Sequence, residues 1–258
     1  MILERLIVES AGLFALSASR IAGFVLISPF PGQNVSRTQR ATLVVVLAWV
    51  TMSFAPNASV PKELGLQLVG QAALEIACGL VVGIAFHFVF AAAEVLGAVL
   101  GQMTGLSSPS VLNPTMDAPE TAIARIVGLC AMLLALSAGV HRVALGALLE
   151  SFRALPVGSA AILGAPVLRF VDLGADAFVV GVRLATPIVG VALLVQLALA
   201  MVSRAAPSVQ IFSVGFGVLF ASGMLSLLTC FDDIAAGLNA HFATLAPFID
   251  EAIGAMRK

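Results

Sequence analysis

The run 64–100 constrains this chain more than any other stretch, because it is almost wholly apolar yet far longer than a simple membrane crossing. A span needs about 20 residues for a hydrocarbon core of roughly 30 Å. As one straight helix this run would measure roughly 55 Å at about 1.5 Å per residue. Further apolar runs lie at about 11–31, 41–55, 122–140, 174–202 and 209–231, with amphipathic stretches near 142–155 and 232–257. The run 41–55 is too short to cross and 64–100 too long, so the chain does not fit a regular ladder of spans. Composition agrees with a membrane class: 60% of residues are hydrophobic and 10% charged, where a soluble domain carries about 25% charged residues.

Charges inside such runs must face protein or water, since an arginine at bilayer depth costs about 2.5–3.5 kcal/mol on insertion scales. Arg20 sits at the centre of the first run, in ALSASRIAGF, and Arg183 lies one turn before Pro187 in the run 174–202. The long run holds Glu75, His87 and Glu94. At about 100° per residue His87 and Glu94 fall within about 20° of one face and Glu75 lies well off it, so the three do not form one site. Two functions remain open for them: a proton path of a coupled transporter, or pairing with Arg20, Arg125 or Arg183 inside an assembly. The same run carries Gly79-x-x-x-Gly83 and Gly97-x-x-x-Gly101. Small residues four apart let helix backbones approach closely where lipid supplies no hydrophobic drive.

Gly101 to Glu120, GQMTGLSSPSVLNPTMDAPE, interrupts the apolar series. Prolines at 109, 114 and 119 with Gly105, Ser107, Ser108, Ser110 and Asn113 oppose a continuous helix from Leu106 onward. A loop of this length is either functional or a slack connector. Met103, Leu106, Val111, Leu112 and Met116 favour function, since a solvated connector gains nothing from large apolar side chains. Elsewhere, Ser36 or Thr38 can cap the helix after NVSRTQRATL. Leu145, Leu148, Leu149, Phe152 and Leu155 recur at helical spacing ahead of Pro156 and Gly158, and Asp232 and Asp233 suit a helix amino terminus. From there Ile234, Leu238, Phe242, Leu245, Ile249, Ile253 and Met256 line one face.

Several classes drop out. Net charge is −1 from 13 basic and 14 acidic residues, so no basic patch proposes nucleic acid as a partner. Cys78, Cys130 and Cys230 lie in apolar stretches and lack metal-ligand spacing, and the three histidines fall in separate segments. No GxSxG, HExxH, Walker loop or CxxC is present, so neither an enzyme nor a cofactor or metal site is expected. The amino-terminal MILERLIVES lacks the basic head and cleavage site of a signal peptide, so the first run is expected to stay in the mature protein.

The blocks GQMTGLSSPSVLNPT, HRVALGALLESFRALPVG and SRAAPSVQIFSVGF followed by Gly223 carry a resemblance through nearly the whole chain. In that order and spacing they resemble the R subunit of the bacterial flagellar export gate, a family that includes the T subunit of virulence type III secretion systems. Ile211 to Phe216 is closer to the flagellar branch, whereas Pro207-Ser208 stands where the family usually has Pro-Gln. The resemblance implies an all-α, membrane-associated subunit of broken helical hairpins packed into a helical gate, about 1–170 P-like and about 171–258 Q-like. It implies one copy assembled with P-type and Q-type subunits at the bacterial inner membrane, in the flagellar basal body. Other expected partners are membrane lipid, the switch protein of the export apparatus and unfolded flagellar export substrates. The central loop would project into the pore, with Met103, Leu106, Val111, Leu112 and Met116 as its plug. Arg20, Glu75, Glu94 and Arg183 would be buried assembly charges, and Gly79, Gly83, Gly97 and Gly101 points of close helix packing. The alternatives are the injectisome subunit within the same class and a proton-coupled secondary transporter outside it.

Overall fold

The computed structural model describes residues 2–29, 35–52, 66–103, 122–158, 167–205 and 211–249, and every regular element among them is an α-helix. In order these are α1 (Ile2–Ile27), α2 (Arg37–Met52), α3 (Leu66–Met103), α4 (Ala122–Ser137), α5 (Val140–Ala154), α6 (Val167–Ala205), α7 (Ile211–Thr229) and α8 (Phe231–Ala243). Helical residues resume from 245 to 249 beyond a turn at Thr244. Three stretches are long and apolar enough to cross a membrane: Ser10–Ile27, Gln67–Met103 and Phe170–Ala205. Two bent pairs, one in α4 and α5 and one in α7 and α8, could each supply another. The chain is therefore an all-α membrane protein. The irregular run lengths resolve into two long unbroken helices, α3 of 38 residues and α6 of 39, and into pairs broken at short turns.

Local chemistry explains the ends. At the start of α2 the Gln39 N–H donates to the Ser36 hydroxyl at 3.4 Å, while the Ser36 N–H donates to Gln39 Oε1 at 3.2 Å. This reciprocal pair is a capping box. Gly139 breaks α4 from α5 with φ 75°, and α5 ends at Leu155 before Pro156 and a left-handed Gly158 at φ 84°. Asp232 and Asp233 occupy the first turn of α8, which leaves α7 at an angle of 60°. Pro187 lies inside α6 without ending it. Proline has no N–H, so the carbonyl four residues back, that of Arg183, receives no helical hydrogen bond from it.

Contacts divide the chain into two units, each assembled from separate segments. The first comprises Met1–Val89, Gly139–Leu173 and Thr244–Lys258. In it α1 packs on α2 and on the first part of α3, around Leu16, Ile21, Phe24, Phe86 and Val89. The Phe24 and Phe86 rings meet edge to face, 6.0 Å apart and 82° from parallel. A Cβ on Gly23 would collide with the Ile76 carbonyl and one on Gly79 with the Arg20 carbonyl, while one on Gly83 would lie 2.9 Å from the Phe24 carbonyl. Only glycines permit this crossing. In α5 the buried face is Val140, Ala144, Ala147, Leu148, Ser151 and Phe152, with Leu145 and Leu149 exposed. The sequence pattern places all the leucines on one face; in the fold, smaller residues take the inward positions where the helix packs closely.

The second unit comprises Phe90–Ala138 and Gly174–Ala243. Here the end of α3 meets α4 where Gly97 would put a Cβ 2.9 Å from the Ala124 Cα. Gly181 of α6 would put one 2.6 Å from the Ala92 carbonyl of α3, and Gly237 of α8 adjoins Leu184 of α6. Ile234, Leu238 and Phe242 are buried, as the sequence periodicity predicts, and Phe242 stacks obliquely on Phe90 at 5.6 Å. Leu245 and Ile249, which belong to the first unit, are buried too, while Ile253 and Met256 lie outside the described residues.

Candidate functional site

The most constrained polar cluster lies in the first unit and is built on Arg20. Both Arg20 and Glu75 are 0% exposed. A buried, unpaired charge would cost several kcal/mol, so each must be compensated by its neighbours. Arg20 Nε donates to Glu75 Oε2 at 2.5 Å. Its Nη1 donates to the carbonyls of Ser151 and Leu155, both at 2.9 Å, and the guanidinium lies 4.5 Å from the centre of the Phe152 ring. The other carboxylate oxygen, Glu75 Oε1, accepts the N–H of Gly158 at 2.9 Å.

The arrangement follows from the helices that meet there. The carbonyls at the end of α5 carry the negative end of its dipole, and that of Ser151 also accepts the Leu155 N–H at 3.0 Å. Arg20, from the middle of α1, supplies donors and positive charge at that point, and Glu75, from α3, neutralises it. The turn after α5 then closes on Glu75 through Gly158. One ion pair thus joins α1, α3 and the end of α5, sealed from solvent. Its chemistry is that of a clamp: the pair holds three segments in register and offers no open position for a reacting group.

The other singled-out residues are not gathered into this cluster. Glu94 in α3 and Arg183 in α6 are exposed in the single chain, as is Arg125 in α4, and His87 is half-buried. Glu75, His87 and Glu94 do not converge. Of the expected plug residues, Met103 ends α3 and is half-buried, while Leu106, Val111, Leu112 and Met116 lie outside the described residues. Gly79 and Gly83 lie against α1 and Gly97 against α4, and Gly101 is buried in the last turn of α3. Gly23, Gly181, Gly237 and the backbone partners of the ion pair are not singled out by the sequence reading. Ser19-x-x-x-Gly23 is a usable signal for the first, being small residues four apart beside an intramembrane charge. Among the described residues no group of three or more His, Cys, Asp or Glu side chains could hold a metal.

Long apolar helices that cross at glycines around a buried ion pair define a helical membrane protein. The chain belongs to the bacterial export proteins, family 1, which it matches over residues 11–245. It is 30% identical over 182 residues to the flagellar biosynthetic protein FliR of Escherichia coli K12, covering 69% of each chain. Over 228 residues it is 28% identical to FliR of Aquifex aeolicus VF5, covering 88% of each. With FliR of Pectobacterium carotovorum it shares 28% identity over 211 residues, covering 81% of this chain and 80% of that one.

Proposed function

We propose that this chain is a pore-forming subunit of the flagellar type III protein export gate at the bacterial inner membrane, and that it helps conduct unfolded flagellar proteins across it. The observation that carries this is the family match across residues 11–245, joined by relatives named as flagellar biosynthetic proteins. One copy assembles with P-type and Q-type subunits in the flagellar basal body, about 1–170 acting as the P-like part and about 171–258 as the Q-like part. Large apolar side chains exposed in the single chain support such an assembly. Phe178, Leu194 and Met201 of α6 and Leu225 and Leu228 of α7 are open to cover by lipid or by other subunits. Arg20 and Glu75 act as the internal clamp of this subunit, and Glu94 and Arg183 become buried when partners assemble. The switch protein of the export apparatus is a further partner.

Met103 and the loop after it, with Leu106, Val111, Leu112 and Met116, seal the pore when no substrate passes. A constriction of apolar side chains resists ions because it dewets, and unbranched methionines pack without fixed partners and yield to a passing chain. Deleting residues 106–116 is expected to leave the complex intact while raising membrane ion leak, read as growth sensitivity and dye-reported potential in cells expressing the whole gate. An unchanged seal would remove the plug role.

A further inference from the structure

Helix α2 is apolar through its later turns, yet it is not one of the stretches long enough to cross a membrane. Its 16 residues measure about 24 Å, short of a hydrocarbon core of roughly 30 Å. α2 packs on α1, and its buried residues are only Ala48 and Thr51, so most of its surface is open. Arg37, Thr38 and Gln39 are exposed in the first turn, and Val45, Val46, Trp49 and Val50 in the later ones, Trp49 at 73%. Polar and apolar side chains are thus divided along the axis of the helix. α2 contains no acidic residue, and Arg37 and Arg40 both stand in its first turn.

Three surroundings meet this face differently. Water leaves four large apolar side chains on adjacent turns uncovered, a contiguous patch of the kind that marks a contact surface. A second helix packs best on small residues that let backbones approach, whereas the apolar part of this face is three valines and a tryptophan. One leaflet of a bilayer suits the whole gradient: cations at the level of the phosphates, then apolar side chains among the acyl chains, with an indole that tolerates either level. Two positive charges at the amino terminus also oppose the dipole of α2, and an anion beside them relieves that opposition. We propose that α2 enters one leaflet without crossing it, with Arg37 and Arg40 drawing anionic phospholipid headgroups to its first turn and the Val45–Val46–Trp49–Val50 face lying in the acyl chains. This contact rests on the membrane class of the chain and not on the export-gate role.

Trp49 is the single tryptophan of the sequence and reports on its own surroundings. The full chain is reconstituted into vesicles of phosphatidylcholine and phosphatidylglycerol in equal parts, with bromine on the acyl chains of one lipid or of the other. Trp49 fluorescence is expected to be quenched by the brominated chains and not by acrylamide in the water, and more strongly when the bromine is on phosphatidylglycerol. Arg37→Gln is expected to lower that preference about fivefold, and Arg37→Lys to retain it. Equal quenching by the two lipids in the unaltered chain, loss of the preference in Arg37→Lys as well, or quenching by acrylamide would each overturn the proposal. In bacterial membranes, a photo-reactive benzophenone side chain in place of Val46 is expected to give an adduct to phospholipid. An adduct there to protein, whether a second copy of this chain or another partner, would overturn it too, even if the vesicles gave the expected result.

Discussion

Arg20 and Glu75 hold more than each other, and that decides what their substitution does. Removing one partner strands the other charge and leaves backbone groups unserved, a loss of about 3–5 kcal/mol for a buried pair. Arg20→Ala and Glu75→Ala are each expected to lower the thermal midpoint of the purified chain in detergent sharply. The double exchange Arg20→Glu with Glu75→Arg is expected not to restore it, although the net charge is conserved. The bonds that Arg20 Nη1 makes to the carbonyls of Ser151 and Leu155 need a donor arriving from α1, and the N–H of Gly158 needs an acceptor from α3. A full rescue by the exchange would show that charge alone matters at this site. Arg20 was legible in the sequence as a charge that must face protein, and Glu75 as one of its possible partners. The carbonyl and N–H partners were not, since they come from the far end of a helix distant from Arg20 along the chain, and no local pattern marks them.

Among the elements, α3 shows how one helix carries different glycines to different ends. At Gly79 a side chain would run into the α1 backbone, whereas at Gly70 a Cβ would meet nothing within 4 Å. Gly79→Val is therefore expected to separate α1 from α3 and to make the chain protease-sensitive in limited digestion. Gly70→Ala should be neutral or stabilising by up to about 1 kcal/mol, since alanine is the better helix former. Equal effects at the two positions would remove the packing argument. At the start of α2, Ser36→Ala should cost about 0.5–2 kcal/mol of local stability by deleting the capping hydroxyl, measured as faster amide exchange in residues 37–40. Ser36 was readable as one of two candidate caps, with Thr38, and so was the stop at Pro156 and Gly158, because such signals act over a single turn. The inward face of α5 was not, because burial there depends on how near its neighbours come, and periodicity alone does not record that.

For the whole molecule, the exposed apolar side chains and the exposed charges within apolar helices point to a chain completed by others. Native mass spectrometry of the complex purified in mild detergent is expected to show one copy of this chain with several P-type and Q-type subunits. A stable monomer or homodimer indifferent to those partners would overturn the proposed role. The amino-acid sequence by itself determined the membrane class, the all-α content, the position of most helices and the family, because these follow from hydropathy, short-range capping and characteristic blocks of residues met in order. Only the tertiary structure decided that Arg20 pairs with Glu75 rather than with another acid, that Gly23 joins Gly79 and Gly83 at one crossing, and that Glu94 is left without a partner among the described residues. Those outcomes depend on which distant segments approach within a few ångströms of one another, and in an apolar chain many such approaches satisfy the same hydropathy.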